Sequence, residues 1–274
     1  MTSAQGPSEL RVAIAGFGAI GGVLATRLDQ GMPGLRLVAV SARDPDKARA
    51  RMALAAPVPV LPLAELCTHA DVVVECAPAA VFREVAQPTI EAGGILMPAS
   101  VGKLLEHDDL IARAEATGAR IIVPTGALLG LDAVRAAAEG KIDSVTMVTR
   151  KPPRGLAGAP YLEQHGITLE GLSAPRKVFE GSAREGARGF PANVNVAAAL
   201  SLAGIGPDRT RLEIWADPAV VRNTHRIVVE ADSARFEMTI ENVPSDENPR
   251  TGKITALSII ATLRSLTATL KVGT

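Results

Sequence analysis

The stretch "RVAIAGFGAIGGVLATRLDQG" (residues 11–31) restricts the fold more than any other part of the chain. "RVAIAG" is a short apolar run that stops at glycine, as a buried strand does. From Gly21 the pattern changes: Val23, Leu24, Arg27 and Leu28 recur at three-to-four spacing, the period of a helix. The junction reads Gly16-x-Gly18-x-x-Gly21. Each glycine has a physical task there. Gly16 permits a tight turn, Gly18 lets a ligand's pyrophosphate approach the backbone, and Gly21 lets helix and strand pack closely. The helix start then offers N–H groups and a partial positive charge to phosphate. The pattern alone is weak, and its position between a strand and a helix gives it weight. The expected phosphate-binding loop is therefore Gly16, Phe17, Gly18, Ala19, Ile20 and Gly21.

Strand and helix alternate again beyond this turn. Apolar runs at 35–44, 71–78, 93–100 and 119–125 read as strands, separated by helical stretches at 44–54, 80–92 and 106–117. Asp44 and Pro45 fit an N-cap and first helical position. Strand–helix alternation at this spacing implies a parallel, doubly wound sheet. The expected fold class is α/β, with an N-terminal Rossmann dinucleotide-binding domain. After a helix near 130–139 the pattern changes. Strands are expected at 143–150, 174–181, 210–217, 223–232 and 234–243, with a helix at 194–204. The last two strands lie close enough for a hairpin. This predicts a second α/β domain with a mixed sheet. The Gly- and Pro-rich segment 150–166 reads as an exposed loop. From Gly252 to Leu270 a helix returns, and its apolar stripe needs a cover. The expected division is 1–130 for dinucleotide binding, completed by a C-terminal helix in 250–274, and 131–249 for substrate binding and dimerisation.

Composition removes several function classes. Lys plus Arg and Asp plus Glu both number 29, and aromatics are 3%. Neither an electrostatic nor a stacking case for nucleic acid exists. Two cysteines, Cys67 and Cys76, make no disulfide framework or zinc spacing, and no metal site is expected. No apolar run is long enough to span a membrane, and the polar start "MTSAQGPSEL" lacks a signal-peptide core. A cytoplasmic protein is the expectation.

The second strand bears on which dinucleotide binds. Sites for NAD usually carry an acid near its end to hold the ribose hydroxyls. Here it ends Val40-Ser41-Ala42-Arg43-Asp44. Ser41 and Arg43 are suited to a 2′-phosphate, so NADP is admitted beside NAD; Arg43 reads equally as a solvated surface charge. His225 opens the apolar face of "NTHRIVVEAD", with Ile227 and Val229 behind it. By position alone it is either a core histidine or an acid–base group. The candidate carboxylate anchors are Lys151, Arg150, Lys103, Arg222 and Arg226. Lys151 stands at a strand end, where ligand clefts form, and Arg226 points away from His225 by alternation. Asn193 and Asn195 precede an Ala-rich helix; one is expected to cap it, and capping alone would account for the segment "FPANVN".

The chain resembles the L-aspartate dehydrogenase family over nearly its whole length. The stretches that carry the resemblance are "GFGAIGG", "PTGALLGLDAVRAAAEGKIDSVTMVTRKPP", "FPANVNVAAALSLAG", "ADPAVVRNTHRI" and "ENVPSDENPRTGKITALSIIATLRSL". The resemblance implies a homodimer that oxidises the dicarboxylic amino acid L-aspartate to iminoaspartate with NAD or NADP. It implies that His225 is the acid–base residue and that Ala127 and Asn195 contact the cofactor. Thr125 stands where the family's turn has Ser, which keeps the hydroxyl, and the loop after "RKPP" is longer than the family pattern. Two other readings compete. One is a reductase or dehydrogenase of the dihydrodipicolinate-reductase or sugar-dehydrogenase type, against which "ASVGK" stands in place of Glu-Lys-Pro. The other is a non-catalytic nicotinamide-cofactor sensor, which has no use for a histidine at 225.

Overall fold

The computed structural model describes residues 9–191, 194–245 and 251–273. Two compact units divide them. The first holds the described residues up to Ser100, then His107–Pro124 and Ala256–Lys271; the second holds Val101–Glu106, the described residues of Thr125–Thr255 and the end of the chain.

The first unit runs β1 (Leu10–Ala15), α1 (Ala19–Asp29), β2 (Leu35–Ser41), α2 (Pro45–Arg51), α3 (Leu66–His69), β3 (Val72–Glu75), α4 (Phe82–Glu91), β4 (Ile95–Pro98), α5 (Asp108–Thr117) and β5 (Arg120–Ile121). Its sheet has the order β2-β1-β3-β4-β5, parallel throughout. Every residue of β3 is buried, the signature of a strand covered on both faces. The strand expected over 119–125 is only two residues long. One further bond, Ile122 N–H to the Leu96 carbonyl, ends the ladder before Pro124. The Asp44 side chain does cap α2, accepting from the Lys47 N–H, with Pro45 at the first position. The short helix α3 has no periodic signal in the sequence.

The second unit runs α6 (Leu131–Ala138), β6 (Ile142–Lys151), α7 (Pro160–Gln164), β7 (Arg176–Ser182), α8 (Ala183–Gly189), α9 (Asn195–Ala203), β8 (Arg211–Ala216), β9 (Asn223–Ala231) and β10 (Arg235–Asn242). The sheet order is β10-β9-β6-β8-β7. Only β6 and β8 are parallel neighbours; the other pairs are antiparallel. One face is covered. Gly186 of α8 lies where a Cβ would come within 2.5 Å of Leu212, and Gly204 after α9 sits against Val134 and Val145. Two features depart from the sequence reading. The segment 150–166 is not simply an exposed loop: it folds into α7, with Leu156, Ala159 and Leu162 buried. Tyr161 packs on Phe179 and Phe190, which explains the burial. Helix α8 is also additional to that reading, although Ser182 and Glu185 form a reciprocal capping box at its start.

The last helix, α10 (Lys253–Thr267), contributes Ile259, Ile260 and Leu263 to the core formed by Val12, Ile14, Leu24 and Val72 of the first unit. Thr267 donates to the Pro33 carbonyl at its far end. The unit boundaries differ from a cut at 130. The turn Val101–Glu106 belongs with the second unit because the Gly102 N–H donates to Asn195 Oδ1 and Arg184 Nη1 donates to the Leu105 carbonyl.

Candidate functional site

In the first unit the three glycines occupy three different environments. Gly16 has φ +105, and a Cβ there would lie 2.6 Å from the Cys76 carbonyl oxygen. At Gly21 a Cβ would lie 1.9 Å from the Gly16 carbonyl oxygen, so helix and turn touch backbone to backbone. Gly18 is the opposite case: nothing lies within 4 Å of its Cβ position. It is also the N-cap of α1 and brings no capping side chain. The open space therefore coincides with the free N–H groups of a helix start, which is what a diphosphate requires. Phe17 and Ile20 pack partly against the core beneath, and Ala19 is half-buried. The loop lies at the carboxyl edge of the sheet, where the strand order reverses between β1 and β3. Ser41 ends β2 beside it, buried, its carbonyl accepting the Gly16 N–H. Arg43 is exposed just beyond.

In the second unit a polar cluster caps the covered face of the sheet. Along β6, Val145, Met147, Thr149 and Lys151 alternate inward, so an apolar stripe ends in two polar residues. Register places Thr149 opposite His225, and His225 opposite Ile240. Thr149 Oγ1 and His225 Nδ1 are 3.0 Å apart. His225 is 3% exposed and Lys151 5%, so both charges would have to exist without bulk water. Burial brings the Lys151 ammonium down to about 8. Burial first, and the neighbouring Lys151 charge second, hold His225 at about 3. The imidazole is therefore neutral in the unliganded protein, well below the near-neutral range of an ordinary histidine. Arg226 turns to the other face and pairs with Glu237, as alternation required.

The remaining candidates separate clearly. Arg150 alternates away from Lys151, stacks 4.8 Å over Trp215 and binds Asp217 Oδ2 at 3.1 Å. Asp217, a turn former by its sequence context, is 5% exposed and also accepts from the Ala219 N–H. Lys103 pairs with Glu106 in its own turn, and Arg222 is exposed. His69 and His165 are exposed, the latter stacked on Tyr161, and His107 stacks on Phe82. Asn195 is the first residue of α9 rather than its cap, and its Oδ1 is taken by Gly102. Asn193 lies outside the described residues. Ala127 sits in a turn closed by the Leu128 N–H on the Thr125 carbonyl, with Gly126 at φ +68.

Two further residues, Thr149 and Asn242, join the cluster beyond those the sequence singles out. Asn242 ends β10 opposite Asn223, which opens β9. Asn242 is 4% exposed; its Nδ2 donates to the Ala127 carbonyl at 3.0 Å, and its Oδ1 has no partner among the described residues. Thr149 and Asn242 fall on the inward positions of their strands, a signal present in the alternation. The pairing register that brings Thr149 to His225 is not in the sequence. Among the described residues no group of His, Cys, Asp and Glu could hold a metal ion, and no helix is long and apolar enough to cross a membrane.

A coenzyme turn of this geometry, in one chain with a mixed sheet that ends in a buried Lys–His pair, defines an NAD(P)-dependent dehydrogenase of the two-domain α/β class. Residues 16–124 match the family described as homoserine dehydrogenase, NAD binding domain, and residues 132–266 match aspartate dehydrogenase, C-terminal. The chain is 59% identical to L-aspartate dehydrogenase of Bradyrhizobium diazoefficiens, covering 100% of this chain and 98% of that one. It is 39% identical to L-aspartate dehydrogenase of Methanosarcina acetivorans over 97% of this chain and 100% of the other. The crystal structure of aspartate dehydrogenase from Thermotoga maritima superposes with a TM-score of 0.71 at 25% identity, covering 96% and 99% of the two chains. The protein belongs to the L-aspartate dehydrogenase family.

Proposed function

We propose that this protein oxidises L-aspartate to iminoaspartate, which water converts to oxaloacetate and ammonia, and that it does so with NAD or NADP. The observation that carries the reading is the buried Lys151 beside His225 at the end of the covered sheet face. A dicarboxylate needs a desolvated cation, and a substrate ammonium that must lose its proton needs a base. The dinucleotide, when bound, supplies the hydride acceptor. Gly16, Phe17, Gly18, Ala19, Ile20 and Gly21 would hold its diphosphate, with Ser41 and Arg43 at the 2′ position of the adenosine ribose. Ala127 and Asn195 are assigned to the coenzyme on the family resemblance.

Lys151 receives a substrate carboxylate. That carboxylate offsets the lysine charge, and with it one of the two causes that depress His225. The imidazole becomes a stronger base when the substrate arrives than when the site is empty. His225 then takes a proton from the substrate ammonium and releases it to solvent. As the free base again it takes a proton from the water that attacks the imine and returns it to the amino group as ammonia leaves. Thr149 holds Nδ1 and so fixes the ring while Nε2 works. The family resemblance also supports a homodimer and a cytoplasmic location.

The test is direct. Purified protein is mixed with NAD or NADP and a panel of amino acids, and absorbance of the reduced nicotinamide is followed. Turnover with L-aspartate, and little with L-glutamate, L-alanine or D-aspartate, is expected. Coenzyme binding without turnover of any amino acid would return the sensor reading, and preference for a sugar alcohol would return the sugar-dehydrogenase reading.

A further inference from the structure

Glu75 is fully buried, and none of the catalytic roles assigned to Lys151, His225 and Thr149 involves it. It is the last residue of β3, in register with Ala15 of β1 and Pro98 of β4, at the carboxyl edge of the parallel sheet. Both of its carboxylate oxygens accept from Ser100. The Ser100 N–H donates to Oε2 at 3.0 Å and the Ser100 hydroxyl to Oε1 at 3.1 Å. Backbone N–H groups of Ala77 and Ala99 also favour the ionised form. On the other side, Cys76 is fastened to the glycine turn. Its Sγ donates to the Gly16 carbonyl at 3.3 Å, and a Cβ on Gly16 would collide with the Cys76 carbonyl. The exits of β1, β3 and β4 are thus one connected piece, Gly16–Cys76–Glu75–Ser100.

Among the described residues, no basic side chain acts on this carboxylate. The neighbours in register, Ala15 and Pro98, carry no charge. The one coupled titratable group is the Cys76 thiol, which burial and then Glu75 push up, so it stays protonated. Burial raises Glu75 itself to about 7 against the pull of its hydrogen bonds. A buried acid without a cation is costly where a glutamine would be cheaper, and such groups concentrate at ligand sites.

We propose that Glu75 is a positioning residue for the coenzyme: as the carboxylate it fastens the exits of β3 and β4 in the shape that receives the dinucleotide, and protonation weakens coenzyme binding. The inference rests on the reading that the dinucleotide binds at the glycine turn. Both oxygens of the ionised form face donors. The acid form carries a proton on one of them: on Oε1 it makes the Ser100 hydroxyl turn round to accept, on Oε2 it opposes the Ser100 N–H, and in either case one bond of the fastening is lost.

The experiment is NADH binding by fluorescence, on the full chain, from pH 6 to 8.5; no group of NADH titrates in that range. If only the ionised form is competent, Kd at pH 6 is about tenfold that at pH 8. The isosteric Glu75→Gln variant, which has no ionised form, should bind more weakly than the unmutated protein does even at pH 6, with no pH dependence. Its unliganded urea midpoint at pH 8 should be equal or higher, because a buried charge has been removed. A residue that served stability alone would lower it. Ser100→Ala removes a bond that favours the carboxylate, so its binding midpoint should move to higher pH. It decides the matter should Glu75→Gln not fold. A flat profile in the unmutated protein, or an unchanged profile in Glu75→Gln or Ser100→Ala, overturns the proposal. Absence of NADH binding at any pH overturns the coenzyme reading, and the proposal with it.

Discussion

Replacing Lys151 by methionine should make this protein more stable and a worse enzyme. Methionine keeps most of the length of the lysine stem and fills the same buried space. What disappears is an ammonium that is 5% exposed and held at about 8. The sign comes from linkage. The unfolded chain protonates this lysine at its ordinary value of 10.5, the folded chain only at about 8. Between those values the unfolded state binds more protons, so stability falls as pH drops from 10.5 to 8 and stays reduced below. At about 1.4 kcal/mol per pH unit, the full loss is about 3 kcal/mol. Lys151→Met avoids it. At pH 7.5 the urea midpoint should rise, with a gain on the order of 1–3 kcal/mol once loss of compensating contacts is allowed for. The unmutated protein should gain stability between pH 8 and 10.5 relative to the variant, which lacks that rise. The KM for aspartate should increase at least tenfold. A variant that is destabilised at pH 7.5, with aspartate KM unchanged, would refute the reasoning and make Lys151 a structural residue.

The histidine, the arginine and the glycines can be tested in the same way. His225→Asn keeps a hydrogen bond toward Thr149 but removes the base, and kcat should fall by roughly 10²–10⁴ with NADH affinity unaltered; near-normal turnover would return His225 to the core. Arg43→Ala should weaken NADP binding and spare NAD, read by fluorescence titration of the two reduced coenzymes; an equal effect on both would place Arg43 away from the 2′ position. The two glycines Gly18 and Gly21 should separate coenzyme binding from folding. Gly18→Ala meets nothing within 4 Å and should fold normally while NADH affinity falls at least tenfold. Gly21→Ala drives a methyl into the Gly16 carbonyl and should cost at least about 2–3 kcal/mol in urea unfolding.

Local signals were the ones the sequence could express. The glycine spacing defined the turn because each glycine answers a backbone constraint within its immediate surroundings: a positive φ at 16, an opening at 18, a close packing at 21. Period-two alternation placed His225 inward and Arg226 outward, and register does not alter which face a residue takes. The same alternation carried Thr149 and Lys151 at the end of an apolar stripe, although it could not say that they stand beside His225. That depends on which strand pairs with which, and at what offset. β6 meets β9 across a long separation in sequence, and only the assembled sheet sets Thr149 against His225. Burial is likewise a tertiary property. A lysine between an arginine and two prolines can be a solvated charge or a ligand anchor as far as its chain neighbours decide; burial in the folded sheet makes it a desolvated charge, and the depressed values at Lys151 and His225 result from that. Glu75 shows the same division. "DVVVECAP" announces a strand, and only β4 lying alongside brings the Ser100 hydroxyl and N–H to the carboxylate. Sequence determines conformations that neighbours along the chain impose, while pKa values and site membership depend on neighbours in space.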